Sequence, residues 1–305
     1  MIQYRKLNGN NTELFTNMTF PAYRHLLNGE SNFKFLTIES ELVKPCIIGA
    51  YNDNEPIALA LAGINFEKNE AELLSLFVIN EYRNKGIGCE LLLRVEEEIR
   101  FDSVVLLTAV YMTGSPGTEA VEHIIEKCGW EKPYMRMASV RFNCDTFQNV
   151  PWLNKYKNIK GYDTFLWKDI TNDEKNFIQQ SQKENPWIPD DLVPWLYDKD
   201  GFEPTTSLGI KYKGDIVGWI INHKHDNETL RVTCGFIRVD LGKMGLILPA
   251  SSVSFNLMRK EGFTKGMFTT PIKHPRMISF IKNWIAPWTS FIGETRGASK
   301  HLSFY

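Results

Sequence analysis

The chain has 305 residues, of which 43% are hydrophobic and 23% are charged. These proportions are typical of soluble globular proteins, and the length suits two domains better than one. The 35 Lys and Arg residues are balanced by 36 Asp and Glu residues, so no overall charge attracts nucleic acid or an anionic membrane. No apolar run typical of a signal peptide follows Met1, and no segment has the uncharged length of a membrane span. We therefore predict a cytoplasmic protein without nucleic-acid or membrane partners.

Cysteine usage gives no sign of a metal site or of a disulfide framework. The five cysteines are widely spaced and none belongs to a Cys-x-x-Cys pair; they are Cys46, Cys89, Cys128, Cys144 and Cys234. In a reducing compartment we expect each of them to be a small, buried, apolar side chain.

The first 65 residues contain alternating helical and strand-like patterns. In chain order, the predicted elements are a strand at 2–7, helices at 12–27 and 33–43, and strands at 46–51 and 56–64. The sequence Asn52-Asp-Asn-Glu between the last two strands favours a hairpin turn.

Residues 72–100 change their hydrophobic period in a way that predicts a strand, a loop and a helix. In the strand, at 72–78, one side is predicted to carry Leu74, Leu76 and Val78, and the other Leu73, Ser75 and Phe77. In the helix, at 89–100, apolar residues recur at helical spacing, at Leu91, Leu92, Val95 and Ile99.

The loop between this strand and helix reads Arg83-Asn-Lys-Gly86-Ile-Gly88. Backbone N–H groups at a helix start lack partners and carry the positive end of the helix dipole, so they bind anions. Glycines let the backbone approach such an anion closely. We therefore predict a cradle for a diphosphate. The spacing is neither Gly-x-Gly-x-x-Gly nor a loop ending in Gly-Lys-Ser/Thr, which excludes the dinucleotide fingerprint and the P-loop.

The pattern Arg83-x-x-Gly86-x-Gly88, preceded by Val78-x-x-Glu81-Tyr82, resembles the acyl-CoA loop of the GNAT superfamily of N-acetyltransferases. An ordinary strand-to-helix turn also fits so short a pattern. The later run Glu126-Lys-Cys-Gly-Trp130 resembles the late helix of the family, which ends in Gly followed by an aromatic residue. The resemblance covers residues 1–145 and implies an α/β (α+β) fold, with a central mixed β-sheet flanked by helices.

The resemblance also implies an acetyl-CoA-dependent N-acetyltransferase that needs no metal. In such an enzyme, backbone groups of the cofactor strand pair with pantetheine and polarise the thioester carbonyl; here these are Leu76, Phe77 and Val78. The phosphate contacts fall on Arg83, Asn84, Lys85, Gly86, Ile87 and Gly88. Thr118 stands where the family has a helper Asn and keeps a hydroxyl for the cofactor. The alternative interpretation of Arg83 and Lys85 is that they are ordinary surface cations.

Glu72 lies eleven residues before Arg83, where some family members carry a catalytic carboxylate on this strand. It is the implied general base, acting directly or through a water, with a pKa raised by a partly apolar cleft. The alternative is a solvated glutamate at an exposed strand start. The family's usual acid, a Tyr on the late helix, falls on Ile125, so no general acid is predicted.

From residue 163 the order of predicted elements restarts, which implies two GNAT folds in tandem. The predicted ranges are a catalytic domain at 1–145, a linker at 146–162 and a second domain at 163–305. The second loop reads Gly242-Lys-Met-Gly245-Leu-Ile247, with Gly242 at the Arg position and Ile247 at that of the second Gly. We expect this domain not to bind CoA, and to be structural or to shape the acceptor pocket.

The predicted acceptor is a primary amine of a small or amino-acid-like molecule. A non-catalytic acyl-CoA-binding or regulatory protein is the alternative that the missing Tyr favours. A third possibility is transfer of a longer acyl chain, which depends on the room around Phe77 and Leu107. In the second domain, the stretch 185–198 interleaves carboxylates with Trp and Tyr, which suits either a cationic amine or core packing. The sequence does not predict an oligomeric state.

Overall fold

The structure is a computed structural model that describes residues 1–9, 12–28, 32–33, 41–153, 159–242 and 244–302. It consists of two compact units: Met1–Arg136 with Glu294–Tyr305, and Met137–Gly293. These bounds differ from the predicted ranges 1–145 and 163–305. Most of the strand Tyr134–Asn143 lies in the second unit, and the C-terminal segment Glu294–Tyr305 lies in the first. A strand's pairing partner can be far away in sequence, so it leaves no local pattern from which to predict it.

The strands and helices have the following bounds in the described residues. The strands are, in chain order, β1 (Ile2–Lys6), β2 (Lys44–Asn52), β3 (Glu55–Asn65), β4 (Glu70–Val78), β5 (Leu106–Met112), β6 (Tyr134–Asn143), β7 (Tyr162–Leu166), β8 (Leu208–Tyr212), β9 (Asp215–Lys224), β10 (Thr229–Ile237), β11 (Lys265–Pro271) and β12 (Phe291–His301). The longer helices are α1 (Ile87–Phe101), α2 (Thr118–Lys127), α3 (Asn172–Glu184), α4 (Ile247–Lys260) and α5 (Pro275–Phe280).

The sheet of the first unit has the strand order β1-β2-β3-β4-β5-β12. Its neighbouring strands are antiparallel except β4 and β5, which are parallel and are connected through α1. Both faces are covered. The helix face packs on α1 and α2, and the N-terminal face packs on residues 12–27. As predicted, the four apolar residues of α1 are fully buried.

The N-terminal segment differs from the single helix predicted at 12–27. Glu13–Met18 and Pro21–Tyr23 are 3-10 turns, and only Arg24–Leu27 is α-helical. Pro21 lacks the backbone N–H that would continue a helix and disfavours helical geometry in the residue before it. The helix predicted at 33–43 lies largely outside the described residues, and its described ends belong to two-residue strands, Asn32–Phe33 and Glu41–Leu42, that pair with each other.

A β-bulge in β4 changes the predicted alternation of its side chains. Leu61 pairs with Ser75 and Ala62 pairs with Leu73, so Leu74 is an extra residue in β4. After the bulge, Leu76 and Val78 share the helix face with Leu73, whereas Leu74 packs on the N-terminal face. The prediction that Leu74 shares a face with Leu76 is therefore wrong, because one inserted residue shifts a period of two by half a period.

The C-terminal strand completes the sheet of the first unit. Residues 295–301 of β12 pair antiparallel with residues 106–112 of β5. Ala298 and Leu302 are buried in the core of the helix face. The greater part of β12 thus belongs to the first unit rather than the second.

The second unit repeats this arrangement in its sheet, β6-β11-β10-β9-β8-β7. Here β10 pairs antiparallel with β9 and parallel with β11, and a shift in register between Ile221 and Asn222 leaves Thr233 as the extra residue of β10. The helix α3 begins at a capping box formed by Thr171 and Glu174. Residues 154–158 of the predicted linker lie outside the described residues.

The acidic and aromatic stretch at 185–198 serves the core of the second unit. The Trp187 ring packs against Trp219 and Phe236, and Trp195 and Tyr197 border the same cluster. Asp191 forms ion pairs with Lys273 and His274. These contacts agree with core packing rather than with a cage for a cationic amine.

The described residues contain neither a helix suited to cross a membrane nor a cluster of metal-binding side chains. None of the helices there is long and apolar enough to cross a membrane. Nor do three or more His, Cys, Asp or Glu side chains come together, within those residues, as they would around a metal ion.

Candidate functional site

The loop from β4 to α1 places exposed cations beside an open helix start. Asn84 and Gly86 have positive φ angles of 60° and 80°, so the backbone reverses just before Ile87. No atom lies within 4 Å of where a Cβ on Gly86 would stand, so the approach to the helix start is open. The first N–H groups of a helix have no partner within it, and Gly86 has no side chain to cap them. This is a site for an anion.

The two glycines of this loop have different roles. Gly86 permits the left-handed turn, whereas Gly88 is buried, and a Cβ there would lie 2.7 Å from Ile124 Cδ1. Gly88 therefore lets the first turn of α1 pack closely against α2. Ile87 is buried beside it in the core of the helix face.

The cations of the loop are held by local contacts. Arg83 Nε donates to Val78 O at 3.0 Å. The Lys85 ammonium lies 4.8 Å from the centroid of the Tyr82 ring. Both residues are exposed, and among the described residues neither forms an ion pair, so their charges are available to an anion at the start of α1.

Beyond its bulge, β4 has a free backbone edge. The Ile79 N–H donates to Ile57 O on β3 at 3.0 Å. Because successive strand residues turn their N–H and C=O groups to opposite edges, Phe77 also faces β3, whereas Leu76 and Val78 face the edge toward β5. On that edge the ladder with β5 ends at Leu73. Of the three residues predicted to pair with the cofactor, Leu76 and Val78 therefore turn their N–H groups to the free edge, and Phe77 does not.

Glu72 lies on the N-terminal face of β4, just before this free edge. It pairs with Gly63 on β3 and Thr108 on β5, and its side chain is half-buried rather than solvated. Burial raises the pKa of the Glu72 carboxyl, and the Arg136 guanidinium acts in the opposite direction. Burial and the nearby Glu72 also raise the pKa of Tyr23. A half-buried carboxyl with a raised pKa is suited to accept a proton.

These features stand in one continuous stretch, and a sequence comparison agrees with them. Residues 12–130 match the model of the Acetyltransferase (GNAT) family. This stretch is a GNAT domain. The family is one of acyl-CoA-dependent acyltransferases. A search of curated proteins finds no match to the chain.

Solved structures extend the similarity to the whole chain. A tandem GNAT protein from the clavulanic acid biosynthesis pathway has a TM-score of 0.59 at 11% identity, with 100% of both chains covered. A GCN5-related N-acetyltransferase from Sphaerobacter thermophilus has a TM-score of 0.58 at 14% identity, with 99% of this chain and 96% of that one covered. At these identities the similarity shows the fold, which is that of two GNAT domains in tandem.

A further similar structure is much longer than this chain. It is the glucosamine N-acetyltransferase region of a fungal multi-domain β-N-acetylglucosaminidase, with a TM-score of 0.59 and 12% identity. The alignment covers 98% of this chain and 38% of that protein.

The late helix of the GNAT unit contains no proton donor at the family's usual position. Ile125 is 2% exposed and packs in the core of the helix face. Tyr111 on β5 precedes this helix, and its hydroxyl donates to Glu122 Oε1 at 3.1 Å. Burial and Glu122 raise the pKa of Tyr111 to about 12. Arg296 from the C-terminal strand contacts the same Glu122 oxygen at 2.5 Å, so this cluster stabilises the end of β5.

Thr118, predicted to contact the cofactor, uses its hydroxyl within the loop that precedes α2. Its Oγ1 accepts from the Ser115 N–H at 3.2 Å and donates to Met112 O at 3.4 Å. The hydroxyl closes the turn between β5 and α2.

The second GNAT unit offers less to an anion at the corresponding place. Its loop precedes α4, and Gly245 keeps a positive φ of 66°. Leu246 is buried, and the nearest arginine, Arg238, is paired with Asp240 at 2.8 Å. The predicted loss of the phosphate cradle fits these contacts.

Three residues near Glu72 or Tyr111 were missed by the sequence reasoning. Tyr23 lies on a segment predicted as plain helix. Arg136 and Arg296 reach the first unit through strands whose partners no local pattern indicates. Only the order of strands in the sheet brings them there.

Proposed function

We propose that the first unit transfers the acetyl group of acetyl-CoA to a primary amine of a small or amino-acid-like molecule. The observation that carries the proposal is the arrangement along β4. A half-buried carboxyl, a bulge, a free backbone edge and an anion-binding helix start follow one another within residues 72–88. The near balance of charged residues favours a small acceptor over nucleic acid.

In the proposed reaction, Glu72 accepts a proton from the acceptor ammonium, directly or through a water. The neutral amine attacks the thioester carbonyl, whose oxygen is polarised by the Leu76 N–H. The carbon–sulfur bond breaks, the nitrogen of the new amide gives up its extra proton to water, and water supplies a proton to the CoA thiolate. The loop cations Arg83 and Lys85 and the first N–H groups of α1 hold the diphosphate of CoA. The second unit does not bind CoA in this proposal.

A second candidate is a non-catalytic acyl-CoA-binding protein, which the presence of Ile125 at the position of the usual acid favours. The two differ in whether an amine releases CoA thiol. In the non-catalytic protein, Glu72 would be a half-buried carboxyl that accepts no proton from a substrate.

The test is thiol release from acetyl-CoA with a panel of amines, for the wild type, Glu72→Gln and the control Glu70→Gln. Glu70 lies two residues earlier on the same face of β4, at the beginning of the strand. We expect amine-dependent release that falls at least about 100-fold in Glu72→Gln, the usual contribution of a general base, and is unchanged in Glu70→Gln. CoA affinity, measured by calorimetry, should be equal in all three proteins.

Equal release in both variants would discard Glu72 as the base. Tight CoA binding with no release for any amine would favour the binding protein.

A further inference from the structure

Arg136 shares a face of the sheet with Glu72, and sheet register establishes this independently of any charge. Glu72 pairs with Thr108, and Val110 on the same strand pairs with Gly297. Leu107 and Ala109 point into the helix-face core, so Thr108, Val110 and Gly297 turn toward the N-terminal face. We call these three residues, with Glu72, the acceptor floor.

Gly297 gives Arg136 its place on the acceptor floor. A Cβ on Gly297 would lie 3.0 Å from Arg136 Cδ and 2.9 Å from Tyr134 Cζ. The Arg136 side chain therefore lies over Gly297, which has no side chain to exclude it. The Cα atoms of Gly297 and Glu72 are separated by two strand spacings across the sheet and two residues along it, or about 12 Å, which two long side chains partly bridge.

The two charged groups face a common space without neutralising each other. The Arg136 charge acts on the Glu72 carboxyl, yet among the described residues Arg136 forms no ion pair with any carboxylate. Tyr23 is the other titratable group that interacts with Glu72. A half-buried guanidinium that pairs with no carboxylate of the described residues is available to an anionic ligand. A ligand with an ammonium and a carboxylate complements both groups.

We propose that the acceptor is an α-amino acid, whose carboxylate binds Arg136 while its ammonium faces Glu72. This assignment rests on the proposed function of the same site and names its substrate class. Arg136 is a specificity-determining residue, and it keeps the Glu72 carboxylate ionised at lower pH. An acceptor without a carboxylate leaves the guanidinium unpaired, so it binds more weakly.

The experiment compares amino acids with their decarboxylated amines: tyrosine with tyramine, tryptophan with tryptamine, and histidine with histamine. Each is assayed for kcat/KM by thiol release from acetyl-CoA, at a pH above the ascending limb of the rate profile. The proteins are the wild type, Arg136→Gln, Arg136→Lys and the control Arg5→Gln. Arg5 is on the edge strand β1 of the same sheet.

We expect the wild type to prefer amino acids. Arg136→Gln should lower kcat/KM for amino acids by about 10- to 100-fold, the loss of a charge-assisted hydrogen bond, with the amines changed less than about 3-fold. Arg136→Lys should recover part of the loss, because it keeps the charge but not the fork of donors. Arg5→Gln should match the wild type.

A second readout is the pH profile with tyramine. Because Arg136 lowers the pKa of Glu72, Arg136→Gln should move the ascending limb to higher pH, which a purely structural arginine would not do.

Equal use of amino acids and amines by the wild type, or an equal loss for both in Arg136→Gln, would overturn the assignment while leaving the acetyltransferase. Absence of thiol release with every acceptor in the presence of bound CoA would refute the proposed function, and this inference with it.

Discussion

Lys300 is the residue whose replacement should most weaken the first unit. Its Nζ lies 2.6 Å from Glu96 Oε2, and the two side chains are 19% and 2% exposed. The other carboxylate oxygen of Glu96 accepts from Trp130 Nε1 at 2.9 Å, and Lys300 also donates to Cys128 O at 2.6 Å. This network joins the C-terminal strand to α1 and to the end of α2.

Lys300→Met should lower the free energy of unfolding of this unit by about 3–5 kcal/mol, because it leaves the Glu96 charge buried with a single donor. The double variant Glu96→Met/Lys300→Met should recover most of the loss, since no charge then remains in the core. The matched control is Lys6→Met. Lys6 pairs with Glu98 on the same helix, but those side chains are 52% and 30% exposed, so the cost should be about 0–1 kcal/mol.

Native-state hydrogen exchange of the α1 amides reports on this unit separately from the other. In Lys300→Met the slowest of these amides should exchange about two to four orders of magnitude faster, as 3–5 kcal/mol requires. Amides of α4 in the second unit provide an internal reference. The reasoning fails if Lys300→Met and Lys6→Met accelerate exchange equally, or if the double variant is as unstable as Lys300→Met.

Three further predictions concern the site. Gly86→Ala should raise the KM for acetyl-CoA several-fold, because φ is +80° there, whereas Gly214→Ala, in a hairpin with φ +93° and equally open space, should strain its backbone without changing KM. If Glu72 is the base, kcat/KM should fall as the pH drops through the pKa of its carboxyl. Burial raises that pKa, so the fall should occur above the ordinary value of 4.5. In a pH series, Glu72→Gln should show no such fall. The Cys89 and Cys128 Sγ atoms lie 2.7 Å apart, so diamide, which takes up the two thiol hydrogens, should link them, and peptide mapping of Cys89→Ser should show no link.

The sequence by itself determined the strand, loop and helix at residues 72–100. The change of period at residues 72–100 predicts the strand and helix that the structure contains, and Arg83-x-x-Gly86-x-Gly88 identifies the loop between them. These features could be read because they are local: the helical spacing of Leu91 to Ile99 and the left-handed turn at Gly86 depend on neighbouring residues alone.

The tertiary structure alone decided how the site is completed. The bulge at Leu74 arises from pairing with β3. In a regular strand, the same alternating sequence would place Leu74 on the face of Leu76. Gly297, and with it Arg136, reaches the sheet face of Glu72 only because β12 pairs with β5 across more than half of the chain. A strand's sequence specifies which face is apolar but not which distant strand it joins, because backbone hydrogen bonds are the same for every residue. The positions of the residues proposed to contact the acceptor therefore depend on the tertiary fold.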